Sequence, residues 1–186
     1  MNKLPIPSRH RSSKGECRHC CNGLRALSVA LLALSGTPRY AAEERVIIGR
    51  VENVLMQDVG MQVKARIDTG AGVSSINAMN IRVEPTEDGR GEIAHFDLTD
   101  DRGRTRNIRR PIVDWASIKI KGGDATIRRP VVIMDICLAG KKIEARFNLA
   151  DRQHFLYPVL VGRNTLKTGD FLIDPKRKFM EKPDCS

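Results

Sequence analysis

Residues 61–71, MQVKARIDTGA, carry an alternation of apolar and polar side chains that runs directly into Asp-Thr-Gly-Ala. Val63, Ala65 and Ile67 fall on one side, Lys64 and Arg66 on the other. This two-residue period marks a strand with one face in a core. Asp68 therefore stands where a rigid strand ends, held more firmly than on a free loop. Gly70 lets the backbone turn tightly and lets a second chain approach. Thr69 supplies a hydroxyl that can fix the loop, and Ala71 is small enough for close packing. Asp-Thr-Gly also occurs as an ordinary turn, so the tetrapeptide alone leaves catalysis and a plain turn both open.

The same period extends outward on both sides. Ile143, Ala145, Phe147 and Leu149 alternate with Glu144, Arg146 and Asn148. Residues 130–138 (PVVIMDICL) are more continuously apolar, as a strand covered on both faces would be. Ala139-Gly140 between these runs reads as a two-residue hairpin connection. Turn chemistry at Glu87-Asp88-Gly89, Asp101-Arg102-Gly103 and Gly122-Gly123-Asp124 separates short runs at 81–84, 93–98, 105–111 and 118–121. Helical spacing is confined to 164–168, before Gly169. Many short strands with hairpin signals and one short helix near the C-terminus predict an all-β fold, a small closed or partly open antiparallel barrel.

Charge divides the 186-residue chain. Residues 1–42 hold seven bases and one acid, whereas residues 43–186 hold 25 bases and 21 acids, so most of the overall +10 lies in the first segment. That segment has a basic start, the apolar run ALSVALLAL at 26–34, and small residues at Ser35, Gly36, Ala41 and Ala42. Such a tripartite pattern predicts a secretory leader over 1–42, a folded domain over 43–186, and a periplasmic or secreted destination in a bacterium. A cut after Ser35 and an uncleaved anchor are the alternatives; the run falls short of the roughly 20 residues needed to span a bilayer. Cys17, Cys20 and Cys21 would leave with the leader. Cys137 and Cys185 could pair in an oxidising compartment. A buried core thiol with an unpaired tail cysteine is the preferred reading.

Residues 158–166, PVLVGRNTL, add an apolar strand, a glycine and a short polar-started helical turn. With Asp68-Thr69-Gly70-Ala71, this combination resembles the retropepsin-like aspartic peptidases, single-lobe relatives of pepsin and the retroviral proteases. It is most similar to a bacterial family labelled ATP-dependent zinc proteases and found beside ATP-grasp glutamate ligases. The matching features are Ile48-Gly49-Arg50, the Asp68 tetrapeptide, Arg129-Pro130-Val131, Asp151-Arg152, Val161-Gly162-Arg163 and Leu172-Ile173-Asp174-Pro175, covering roughly residues 46–178. The chain departs from it at Gly72-Val73, where relatives often carry a basic or polar residue. The zinc and ATP of the label have no motif here. His-Glu-x-x-His is absent, His95 and His154 have no partner at ligand spacing, and no phosphate-binding Gly-x-x-x-x-Gly-Lys-Ser/Thr loop occurs. No cofactor is expected.

The resemblance implies an aspartic endopeptidase with Asp68, Thr69 and Gly70 in the catalytic loop, and the leader predicts that it is exported. Such chemistry needs two carboxylates about 3 Å apart sharing one proton. One Asp-Thr-Gly per chain points to a two-fold homodimer, and Asp174 is the intrachain alternative for the second acid. Ala71, Arg104 and Arg106 are the candidate substrate contacts. The two arginines belong to the basic run 101–110 (DRGRTRNIRR), read either as a solvated hairpin face or as a grip on an acidic peptide. The resemblance also implies a functional link to an ATP-grasp ligase. Nucleic acid is not expected, since one Trp, two Tyr and five Phe leave few stacking platforms. A catalytically silent peptide-binding module and a zinc-dependent peptidase remain the competing functions.

Overall fold

The 61–67 alternation does form a strand, and the rest of the architecture is arranged around it. The computed structural model describes residues 45–119 and 126–185. The leader, its cysteines and Gly122-Gly123-Asp124 lie outside the described residues. In chain order the strands are β1 (Ile47–Gly49), β2 (Val51–Met56), β3 (Met61–Ile67), β4 (Ser74–Asn77), β5 (Met79–Pro85), β6 (Glu92–Thr99), β7 (Thr105–Lys119), β8 (Thr126–Leu138), β9 (Lys141–Ala150), β10 (Val159–Val161) and β11 (Leu172–Asp174). The helix α1 (Arg163–Thr168) lies between the last two, and a 3-10 turn (Gln57–Val59) joins β2 to β3.

Burial follows the sequence pattern. Alternate residues of β3 are buried and exposed without exception. In β8, Asp135 interrupts an otherwise buried or half-buried run from Pro130 to Leu138. The Ala139-Gly140 connection is made as expected, with φ of 51° and 75°. Left-handed backbone at both positions matches the right-handed twist of the flanking strands. The turns at Glu87-Asp88-Gly89 and Asp101-Arg102-Gly103 also fall between strands. The run at 105–111 and the described part of the run at 118–121, residues 118–119, are not separate strands, however. β7 continues from Thr105 to Lys119 and absorbs its irregularity at a register shift between Ile112 and Asp114. An extra residue bends a strand without ending its pairing.

Nine strands form one sheet in the order β2-β3-β10-β4-β9-β8-β7-β6-β5, and β2 also pairs with β8. Strands β2, β3, β10, β4, β9 and β8 therefore close into a ring. The all-β expectation and the short C-terminal helix hold, but the ring is not wholly antiparallel: β10 runs parallel to β3, and β4 parallel to β9. Periodicity specifies which face of a strand is buried, not the direction of its neighbour. Inside the ring, Val63, Ile76, Met134, Phe147 and Val159 are fully buried. Each large apolar side chain so enclosed contributes about 1.5–3 kcal/mol.

The preferred reading of the two late cysteines is corrected. Cys137 and Cys185 form a disulfide, with their Cα atoms 5.9 Å apart. Cys137 is fully buried in β8. The tail passes close enough to bond it, with the Asp184 carbonyl 3.5 Å from where a Gly140 β-carbon would stand. A thiol's partner 48 residues away is set by the path of the tail, which has no periodic signature.

Candidate active site

β10 is three residues long and inserts between β3 and β4, the strands that flank the Asp68 loop. Val161 pairs beside Ile67, and the Asp68 amide donates to the Val161 carbonyl at 2.9 Å. The loop's exit and the residues after β10 are thereby stitched together. Arg163 N–H donates to the Ala71 carbonyl at 2.8 Å, and Asn164 N–H to that of Gly72 at 3.1 Å. The first amides of a helix have no partner within it; α1, which lacks a side-chain N-cap, spends two of them on the aspartate loop.

Side chains complete the clamp. Arg163 Nη1 donates to the carbonyls of Thr69 at 2.9 Å and Gly70 at 2.8 Å. Gly162 N–H donates to Ser74 Oγ at 3.0 Å, and that hydroxyl lies 2.8 Å from Thr165 Oγ1. Asn148 Nδ2 donates to the Ser74 carbonyl at 2.8 Å, while its Oδ1 accepts from Ser75 Oγ at 3.0 Å. Ser74, Ser75, Asn148 and Thr165 are all buried. Buried polar groups satisfied in this way rigidify what they connect.

Within the loop, Asp68 Oδ1 accepts the Gly70 amide at 2.8 Å and the Ala71 amide at 3.2 Å. These two bonds orient one carboxylate oxygen and leave Oδ2 uncommitted among the described residues. Asp68 is half-buried, and Thr69 and Gly70 are exposed. Gly70 does not need a left-handed backbone; a β-carbon there would stand 3.1 Å from Asp68 Oδ1. The Thr69 hydroxyl makes no hydrogen bond among the described residues, so the work of fixing the loop falls to Arg163 and the Asp68 carboxylate. Ala71 is half-buried, its carbonyl taken by Arg163.

The other candidates are placed elsewhere. Arg104 is held by Asp100, through Nε at 2.7 Å and Nη2 at 2.6 Å. The adjoining Asp101 bonds the backbone of Gln62 and Lys64 at the start of β3. At about 3.3 Å per residue, Lys64 lies about 13 Å from Asp68 along the strand. Arg106 is exposed on β7 opposite Leu98. Neither arginine is brought to the Asp68 loop. Asp174 closes its own turn, accepting the Lys176 amide at 2.8 Å and facing Arg177 Nε at 3.5 Å. His95 Nε2 is 3.3 Å from Glu84, and His154 is exposed. Among the described residues no three His, Cys, Asp or Glu side chains gather as a metal ion would require.

A basic residue of a different kind stands near Asp68. Arg152, just after β9, is buried, and its guanidinium lies 4.4 Å over the Phe155 ring. Burial and the charge of Arg129 weaken its hold on its proton, and the charge of Asp68 strengthens it. Arg152 appeared in the sequence only as one half of an Asp-Arg dipeptide. Its proximity to Asp68 comes from the β4–β9 pairing and from its amide donating to Asn77 Oδ1 at 2.6 Å.

The strand-rich fold agrees with comparison to known proteins. A family model for the retropepsin-like aspartic endopeptidase RimB matches residues 47–184. The chain belongs to this RimB-like family. A crystal structure of a protein with unknown function from Legionella pneumophila subsp. pneumophila str. Philadelphia 1 superposes with a TM-score of 0.63 at 30% identity, covering 75% of this chain and 100% of that one. A Shewanella pealeana protein named "Probable alpha-L-glutamate ligase" is 32% identical over 143 residues, 74% of this chain and 30% of that protein. A Desulfotalea psychrophila protein of the same name is 32% identical over 134 residues, 69% of this chain and 28% of that protein. The chain thus spans under a third of these curated relatives' length. The clamp joins the two motif segments that the sequence displays, 68–71 in the aspartate loop and 158–166 leading through β10 into α1.

Proposed function

We propose that the chain is an exported aspartic endopeptidase whose reacting carboxylates are Asp68 and the Asp68 of a second copy. The observation that carries this is the fixed Asp68 carboxylate: one oxygen held by two loop amides, the other uncommitted among the described residues. An isologous two-fold contact puts the same residue opposite itself, and Asp174 is already used in its own turn. Two carboxylates at such a contact share one proton, because both cannot readily ionise. The ionised member takes a proton from water as the water oxygen bonds the peptide carbonyl carbon. The protonated member hydrogen-bonds the oxygen on which charge develops. The C–N bond then breaks as the leaving nitrogen receives a proton.

The Cys137–Cys185 disulfide supports export, since such bonds persist in oxidising compartments. Relatives named as glutamate ligases support an acidic peptide substrate and a functional link to such an enzyme. Asp68→Asn tests the reading. The variant should fold and lose peptide cleavage, and the mass in solution should be that of a dimer. Cleavage at the wild-type rate would remove Asp68 from the reaction.

A silent peptide-binding module is the second reading. It is favoured by the match to a minor part of proteins named as ligases. It predicts that wild-type protein and Asp68→Asn both bind peptide and neither cuts it.

A further inference from the structure

Arg152 is a cation without an anion. Only 8% of its surface is exposed, its Nε is buried without a hydrogen-bond partner, and no ion pair to it exists among the described residues. Burying a guanidinium is unfavourable unless an opposing charge and hydrogen bonds offset it. The groups that face it electrostatically are Arg129, which repels it, and Asp68. Arg129 lies on β8 and lines an open groove of about 400 Å³ with Ile81, Val83, Ile127, Leu149 and Asp151, the residue before Arg152. An apolar groove therefore carries Arg129 on its wall and reaches Asp151, next in the chain to the buried Arg152, whose charge interacts with those of Arg129 and Asp68.

We infer that Arg152, assisted by Arg129, is the specificity-determining contact of this site, binding an acidic side chain of the substrate while the flanking chain lies in the Ile81–Ile127 groove. A carboxylate matches a guanidinium fork in shape and charge. It would supply the missing anion to Arg152 and relieve its repulsion from Arg129. This rests on Asp68 marking the peptide site. It replaces Arg104, held by Asp100 near the start of β3, and Arg106, exposed on β7, as the grip on an acidic substrate.

The test is binding by fluorescence anisotropy of labelled hexaglutamate and hexaglutamine peptides to protein carrying Asp68→Asn, in low salt. Hexaglutamate should bind at least tenfold tighter. Arg152→Met should abolish that preference, Arg152→Lys should restore part of it, and Arg106→Met should leave it intact. Arg129→Met, at a half-buried surface position, should reduce the preference severalfold and serves if Arg152→Met fails to fold. Equal binding of the two peptides, or a preference untouched by both Arg152→Lys and Arg129→Met, overturns the inference. Failure of the peptidase reading is separate: wild-type protein would then cleave neither peptide while the binding preference stood. Cleavage of both peptides alike would instead sink the specificity and leave the peptidase.

Discussion

Gly162 packs directly against the backbone of Val73: a β-carbon on it would stand 2.7 Å from the Val73 carbonyl carbon and 3.0 Å from the Ala71 carbonyl oxygen. Real β-carbons do not approach backbone so closely, and neither segment can easily retreat while the Arg163 amide bonds the Ala71 carbonyl and the Asn164 amide bonds that of Gly72. Gly162→Ala should therefore cost about 1–3 kcal/mol as an overpacked substitution. It should also displace Asp68. Thermal unfolding and peptide cleavage measured together check this; an unchanged melting temperature with full cleavage would show that the two loops are not locked.

Arg163 separates positioning from stability. Its side chain is exposed, so losing its two bonds to Thr69 and Gly70 should cost only about 1 kcal/mol. A small misplacement of reacting groups is far more expensive for rate, up to roughly a hundredfold. Arg163→Met should lower kcat at least tenfold with KM nearly unchanged and a melting temperature only slightly reduced. A change in KM alone would assign the side chain to substrate binding instead.

The Cys137–Cys185 bond closes a 48-residue separation. Loop closure of that length restricts the unfolded chain by about 4 kcal/mol. Urea unfolding with and without a reductant should show a loss of that order, and Cys185→Ser should match the reduced protein. Cys137→Ser should be worse, since it also places a hydroxyl at a fully buried position. Identical urea midpoints in the two conditions would contradict the bond.

Acid should weaken the hairpin around Asp100. Burial raises its pKa, but amides of Arg104 and Arg102 and the Arg104 guanidinium outweigh this and hold it below the usual carboxylate range. A group depressed in the folded state contributes stability above its unfolded pKa, about 3.9. That contribution is lost as pH falls through the lower folded value. Stability should thus decline below about pH 4, and Asp100→Asn should flatten the decline while lowering stability at neutral pH. A variant as acid-sensitive as the wild type would remove Asp100 as a source of that slope.

Much of this molecule was legible in short windows. The β3 alternation, the Ala139-Gly140 hairpin and the brief helix before Gly169 each depend on neighbours within a few residues, which is the range over which backbone preference and side-chain facing are set. The unbroken course of β7 was not, because local turn signals cannot reveal that pairing with β8 carries a strand across an irregular residue. Within the site, Asp68, Gly162 and Arg163 stood out as motif residues, yet the Ser74–Asn148–Thr165 network looked like ordinary polar positions in or beside apolar strands.

The amino-acid sequence by itself determined the strand-rich class and the aspartate at the end of β3, since both follow from alternation and loop chemistry confined to consecutive residues. Only the tertiary structure decided that β10 slots in parallel beside β3, that Cys185 reaches Cys137, and that Arg152 rather than Arg104 comes near Asp68. Those outcomes join residues 48 or more positions apart. Which distant segment wins such a place is settled by the packing of the whole core, where no single stretch holds the information.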